Sequence, residues 1–201
     1  MSRWRSCRPI FSIQKGSVFM PELRLTETPA IVRAPVERGG TRLVAVGESG
    51  VLTLVLRRGD PQRLAQEIGA ALDCDLPAVG GSTDATGGAR LLRPAAERAH
   101  LVTPGSSVPS AAEGETFYGI DQSDYWSCLN LSGPLSRACL ERLWKPDLGD
   151  AAFPPGAVAR SALGPVAAVL CRLRPAAYLL LVPRSYAQAG FDELETSLAW
   201  V

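Results

Sequence analysis

The stretch Trp126-Ser127-Cys128-Leu129-Asn130-Leu131-Ser132-Gly133-Pro134 limits the folds open to this chain more than any other. In an extended backbone, alternation places Trp126 and Cys128 on one side and Leu129 and Leu131 on the other. A strand that is apolar on both sides must be covered on both faces, so further layers have to stack above and below it. Gly133-Pro134 then stops the strand and opens a helix. The polar run Asp121-Gln122-Ser123-Asp124 ahead of it is loop chemistry.

Upstream, the pattern predicts strands over 41–46 and 50–56. Gly47-Glu48-Ser49-Gly50 between them has the residues of a turn, so the two read as a hairpin. Asp60-Pro61 supplies an N-cap acceptor and a proline for the first helical position. Leu64, Ala65, Ile68, Ala71 and Leu72 follow at helical spacing. Residues 79–88 form a glycine-rich run with no following lysine, which reads as a linker rather than a phosphate cradle. Short strands are expected over 89–92 and 101–102, and 103–114 reads as a connector.

Downstream, the helix opened by Pro134 carries Leu135, Ala138, Cys139, Leu143 and Trp144 on its apolar face and ends at Lys145-Pro146. Strands are expected over 157–163, 166–173 and 178–182. A last helix begins after Pro183-Arg184-Ser185, with Ser185 and Gln188 as a capping box and Phe191, Leu194, Leu198 and Val201 along one side. This β-α-β-β-β-α order echoes the first half. The expected fold is α+β, with two pseudo-related halves of mixed or antiparallel sheet carrying helices. The halves span 20–114 and 115–201 and pack as one unit. Residues 1–19 hold Arg3, Arg5, Arg8 and Lys15 and no acid. They read as a disordered leader or an upstream start, with the folded protein beginning near Met20.

With 201 residues and a net charge of +1, the chain has the size of one domain and lacks the basic excess of a nucleic-acid binder. No apolar run approaches the roughly 20 residues that span a bilayer. The five cysteines are unpaired in spacing, which speaks against a disulfide framework or a zinc knuckle and for reduced thiols in the cytoplasm. Cys139 reads as core. The single histidine, His100, reads as a packing or hydrogen-bonding residue. Asp121 and Asp124 read as turn-closing residues rather than an acid–base pair. No Gly-x-Ser-x-Gly elbow is present. Arg184 either receives a carboxylate or phosphate or braces an interface, and bracing is preferred. Four tryptophans and the loop Phe153-Pro154-Pro155 add apolar mass of the kind found at interfaces. The residues alone give an α+β domain short of catalytic groups and engaged with partners, with no catalytic, cofactor-binding or metal-binding residue.

Five motifs stand in register over the second half: Asp121-Gln122-Ser123-Asp124-Tyr125-Trp126, Leu131-Ser132-Gly133-Pro134, Pro146-Asp147-Leu148, Ala152-Phe153-Pro154-Pro155-Gly156 and Val182-Pro183-Arg184-Ser185-Tyr186-Ala187. Together they resemble the gamma subunit of heterotetrameric sarcosine oxidase; the first half is similar in plan alone. The resemblance implies the fold of the glycine-cleavage aminomethyltransferase and a small, non-catalytic subunit with no cofactor of its own. It implies alpha (the main contact), beta and delta partner subunits, with FAD, FMN, NAD, tetrahydrofolate and zinc held in them. Such a complex demethylates sarcosine oxidatively to glycine, forming hydrogen peroxide and passing the one-carbon unit to tetrahydrofolate. Phe153, Pro155 and Arg184 are the expected interface residues. The alternatives are a complex acting on another N-methyl amino acid and a stand-alone folate-binding protein.

Overall fold

The computed structural model describes residues 28–57, 59–105, 107–109 and 113–201, so the expected leader at 1–19 lies outside the described residues. The described residues form β1 (Val36–Arg38), β2 (Thr41–Ala45), β3 (Ser49–Leu56), α1 (Pro61–Leu72), β4 (Gly81–Asp84), β5 (Arg90–Ala95), β6 (Arg98–Pro104) and β7 (Phe117–Asp121). They continue with β8 (Trp126–Ser132), α2 (Ser136–Glu141), β9 (Val158–Leu163), β10 (Val166–Arg174), β11 (Ala177–Pro183) and α3 (Ala187–Ala199). No helix among them is long and apolar enough to cross a membrane.

The strands make two sheets, ordered β1-β2-β8-β11-β10-β9 and β4-β5-β6-β3-β7, with antiparallel neighbours throughout. The fold is α+β, and one plan occurs twice. The run β3-α1-β4-β5-β6 closes its first strand against its last, and β8-α2-β9-β10-β11 does the same. Each sheet is then completed by the strand that precedes the other unit: β7 lies beside β3, and β2 lies beside β8. Sheet membership therefore interleaves along the chain. β1 and β2 join the sheet built mainly after residue 115, and β7 joins the sheet built mainly before it.

This exchange overturns the hairpin expected over 41–56. β2 pairs with β1 and β8, whereas β3 pairs with β6 and β7. Turn residues permit a reversal but do not choose the strand's hydrogen-bonding partner. Residues 50–54 are all buried, so β3 needs a neighbour on each edge and a layer on each face.

Three cores separate four layers. Leu129 and Leu131 of β8, with Leu43 of β2, pack among α2, α3 and the six-stranded sheet; Leu52, Leu54 and Leu56 of β3 pack against Leu64, Ile68 and Leu72 of α1. Between the sheets lie Trp126 and Cys128 of β8, Val51, Leu92, Val169, Cys171 and Leu181. The two sides of β8 thus divide as its alternation requires. Each fully buried leucine on it contributes about 2 kcal/mol.

Local chemistry explains the elements and where they depart from expectation. Asp60 Oδ1 accepts from the Gln62 amide at 2.9 Å and caps α1. The run 79–88, expected as a linker, contains β4, which pairs with β5 from Gly81↔Arg93 to Asp84↔Arg90. Ladder bonds need no apolar side chains, so an edge strand of Gly, Ser, Thr and Asp leaves no periodic signal. α2 is shorter than the helix expected over 134–145. Its first turn takes an acceptor from elsewhere, the Leu135 amide donating to Thr41 Oγ1 at 2.8 Å. Beyond it, Trp144 bridges to Leu163 and the Leu143 carbonyl receives Gly164, which draws that segment out of the helix. The capping box also fails: residues Arg184–Tyr186 form a 3₁₀ turn, α3 starts at Ala187 without a side-chain cap, and Gln188 donates to Asp192 at 2.8 Å. Val201 lies off the buried face of the last helix.

Gly133 shows why the β8–α2 corner is specific. Its φ is +124°, and a Cβ there would lie 2.5 Å from Thr41 Cα and collide with the Gly40 carbonyl oxygen. Gly133→Ala is expected to destabilise the fold by about 3 kcal/mol, from backbone strain plus overpacking, read as a lower midpoint in urea unfolding.

Candidate functional site

The chain crosses from one sheet to the other at residues 46–48, and two hollows share the neighbouring Val46, Ser49 and Cys128. The first, about 450 Å³, is lined by residues 28–31, Arg33, Ser123, Asp124, Trp126 and Arg184. The second, about 370 Å³, opens between the sheets; Val102, Leu173 and Leu179 form apolar wall, and Asp84, Arg90, Asn130 and Arg174 supply polar groups.

Arg184 and the 121–126 turn shape the first hollow. The Arg184 guanidinium donates to the Thr28 carbonyl, and its backbone amide donates to the Tyr125 carbonyl at 2.7 Å. It therefore ties the earliest described residues to the turn that leads into β8. Asp121 closes that turn: its carboxylate accepts from the Ser123 amide at 3.0 Å and the Ser123 hydroxyl at 2.6 Å. These bonds hold its carboxyl below the usual range. Ser123 Oγ in turn accepts from the Val51 amide at 3.1 Å. Asp121 is thus committed to the turn, while Asp124 lines the hollow separately.

His100 sits between the sheets, 2% exposed. Its Nδ1 lies 2.9 Å from Thr53 Oγ1, and the Thr53 hydroxyl donates to Gln122 Oε1 at 2.6 Å. Trp126 Nε1 donates to the same oxygen at 3.3 Å, and the indole meets the imidazole edge-on at 5.3 Å. With the hydroxyl proton directed at Gln122, Thr53 must accept from His100 Nδ1–H. The histidine is a neutral donor here, and Thr53 has no base to activate it. Burial, reinforced by the nearby Arg98 and Arg160 charges, lowers the His100 pKa from 6.5 to about 4.

The loop after α2 is organised by a residue that the apolar pattern concealed. Arg172, 2% exposed within β10, donates to the Phe153 carbonyl at 2.7 Å and the Pro175 carbonyl at 2.8 Å, and pairs with Asp150 at 2.6 Å. Its charge and hydrogen bond depress the Asp150 carboxyl. An arginine inside the run 166–173 was the available signal. Phe153 is 5% exposed, with its ring in the core beside the helices, whereas Pro155 and Arg184 stand at the surface. Cys128, Cys139 and Cys171 are buried, and burial pushes each thiol up, away from the thiolate that nucleophilic chemistry needs. Among the described residues no cluster of three His, Cys, Asp or Glu is arranged to hold a metal ion.

A scan against protein-family models finds no match, and a search of curated proteins finds none. Solved structures do match. A chain of the heterotetrameric sarcosine oxidase from Corynebacterium sp. U-96, in complex with pyrrole 2-carboxylate, superposes with a TM-score of 0.69 at 20% identity, covering 80% of this chain and 84% of that one. The glycine cleavage system aminomethyltransferase T from Bartonella henselae superposes at 0.59 with 18% identity, covering 78% of this chain and 46% of that one. This chain has their aminomethyltransferase-like fold. The near-equal coverages make the matched sarcosine oxidase chain about as long as this one, whereas this chain spans about half of the aminomethyltransferase.

The neutral, buried His100 makes stability depend on pH in a defined window. The unfolded imidazole binds a proton near pH 6.5, and the folded one resists it until about 4. As pH falls through that interval the unfolded state holds more protons, so stability declines. From pH 7 to 5 the expected loss from this residue is about 2 kcal/mol, above the range where carboxylates titrate. Urea midpoints measured across that range are expected to fall, and His100→Gln, which retains a donor for Thr53, is expected to flatten the dependence.

Proposed function

We propose that this chain is a non-catalytic, gamma-type subunit of a sarcosine-oxidase-type flavoenzyme complex. The observation that carries the reading is the match at a TM-score of 0.69 to a chain of similar length from such a heterotetramer. The chemistry of the described residues supports it. The histidine is buried and neutral, the buried thiols are held protonated, and Asp121 is committed to a turn. In this reading the chain packs mainly against a large alpha subunit, with beta and delta subunits completing a cytoplasmic assembly. FAD, FMN, NAD, tetrahydrofolate and zinc belong to those partners. The complex oxidises sarcosine, or a related N-methyl amino acid, and the choice of substrate rests with the flavin-bearing subunit. Pro155 and Arg184 are surface candidates for contact.

A second reading, a stand-alone folate-binding protein, is favoured by the cleft of about 370 Å³ between the sheets. It ranks lower because Asp84, the one carboxylate among the described residues lining that cleft, is already paired with Arg90 at 2.5 Å.

Co-expression with candidate alpha, beta and delta subunits, followed by purification on a tag carried by this chain, is expected to recover an active flavoenzyme. Recovery of the chain alone, with an active enzyme assembling in its absence, overturns the subunit reading. Titration of the isolated chain with tetrahydrofolate is expected to give no saturable binding; saturation would favour the second reading.

A further inference from the structure

The two sheets are joined where β4 begins and stand apart where it ends. At its start Gly81 bridges to Ala157, and Ser82 Oγ donates to the Gly156 carbonyl at 2.9 Å. At its end Asp84 lines the cleft of about 370 Å³. Directly paired residues on neighbouring strands point the same way, so each sheet turns one row of side chains into this gap. Val51, Val102, Arg90 and Asp84 form the row of the five-stranded sheet, and Val51 is buried between the sheets. Asn130, Leu179 and Cys171 form the facing row, with Leu179 and Cys171 in the same core. The register shift in β10 between Arg172 and Arg174 lets the consecutive Leu173 and Arg174 both line the cleft.

The polar groups of this cleft divide into committed and free. Arg90 is committed, pairing with Asp84 at 2.5 Å and donating to Ser82 Oγ at 3.2 Å. That pairing cancels one charge of each sign and leaves Arg174 uncompensated. Among the described residues neither the Arg174 guanidinium nor the half-buried Asn130 amide has an ion-pair or hydrogen-bond partner. The walls are aliphatic, with Val46, Val102 and Leu173 packed only in part against the core between the sheets. No aromatic side chain is among the described residues lining the cleft, so a flat heteroaromatic ring finds no stacking partner there.

We infer that this cleft binds a small N-acyl amino acid with an aliphatic side chain. Its carboxylate meets Arg174, its amide meets Asn130, and its aliphatic body lies against Val46, Val102 and Leu173. Each part of the ligand answers one group of the cleft. A single uncompensated guanidinium selects a single negative charge and receives a carboxylate through two parallel bonds. An amide returns both a donor and an acceptor to an asparagine side chain. Half-buried aliphatic walls gain by losing the rest of their water. The volume lies at the small end of the range of about 300–1,000 Å³ typical of ligand clefts. The site is additional to the accessory-subunit reading and does not depend on it. It differs from the folate reading because it has no place for a stacked ring.

The test is titration of the full chain with N-acetyl-L-leucine, followed by amide chemical shifts. Saturation in the millimolar range is expected for so small a probe, with the shifts concentrated at Asn130, Leu173 and Arg174. The uncharged N-acetyl-L-leucinamide and the variant Arg174→Gln are each expected to weaken binding about tenfold. Asn130→Val is expected to weaken it about fivefold, while Lys145→Gln, an exposed control outside the cleft, leaves it unchanged. Circular dichroism melting checks the fold of each variant. Arg174 is exposed, so its variant keeps the test intact should Asn130→Val fail to fold. Absence of saturation overturns the site, and so does binding that survives both loss of the probe's charge and Arg174→Gln. Neither result touches the subunit reading, which stands or falls on co-purification.

Discussion

The need to bury both sides of β8 and of β3 governs this molecule. A strand apolar on both sides cannot sit at the surface of a two-layer fold, and here two such strands each lie inside a sheet with a helix layer on one face and the other sheet on the opposite face. Each of these strands has its unit's own last strand on one edge and a strand borrowed from the other unit on the other. The halves are therefore cross-linked by backbone hydrogen bonds as well as by packing. Neither half's sheet is complete without the segment that precedes the other.

Polar groups within this apolar stack are placed where they fix alignment. The chain of bonds from His100 through Thr53 to Gln122 and Trp126 joins one sheet to the other at a defined offset. In a low-dielectric interior such a network penalises any slip that would strand one member. At the far edges Ser82 Oγ donates to the Gly156 carbonyl and the Val158 amide donates to Gly80, closing the sheets on that side. Arg172 does comparable work for the loop ahead of β9, holding the Phe153 carbonyl from inside. Groups bonded in this way are structural, and their protonation states serve the fold.

The sequence was most legible where one chemical requirement acted locally. Asp60-Pro61 and the 3.6 spacing through Leu72 specified α1, and the two-sided pattern of β8 specified its layers, because caps and periodicity are properties of neighbouring residues. It was least legible where the partner lay far along the chain. Nothing near Thr41 announces that its hydroxyl will receive the Leu135 amide, and nothing in residues 47–50 reveals that the strands on either side join different sheets. β4 escaped detection because its side chains carry no pattern, and Arg172 because one arginine in an apolar strand reads as noise until its carbonyl partners are known. The turn role of Asp121 and the packing role of His100 were readable, since small polar residues ahead of a strand and a histidine between apolar neighbours have strong local preferences.

The same exchange that unites the halves determines what surface remains. Because β7 belongs to the second half of the chain but completes the first half's sheet, it lies at an outer edge where the opposing sheet no longer reaches. Tyr118 and Ile120 occupy positions that face the other sheet further inward but are left open here. A strand whose inner face is apolar by register and exposed by geometry retains unspent burial energy. The Arg57 guanidinium, 5.6 Å from the Tyr118 ring centroid, covers part of that face with a cation–π contact. The strand exchange therefore sets both the buried core and a stretch of inward-facing apolar surface left uncovered at β7.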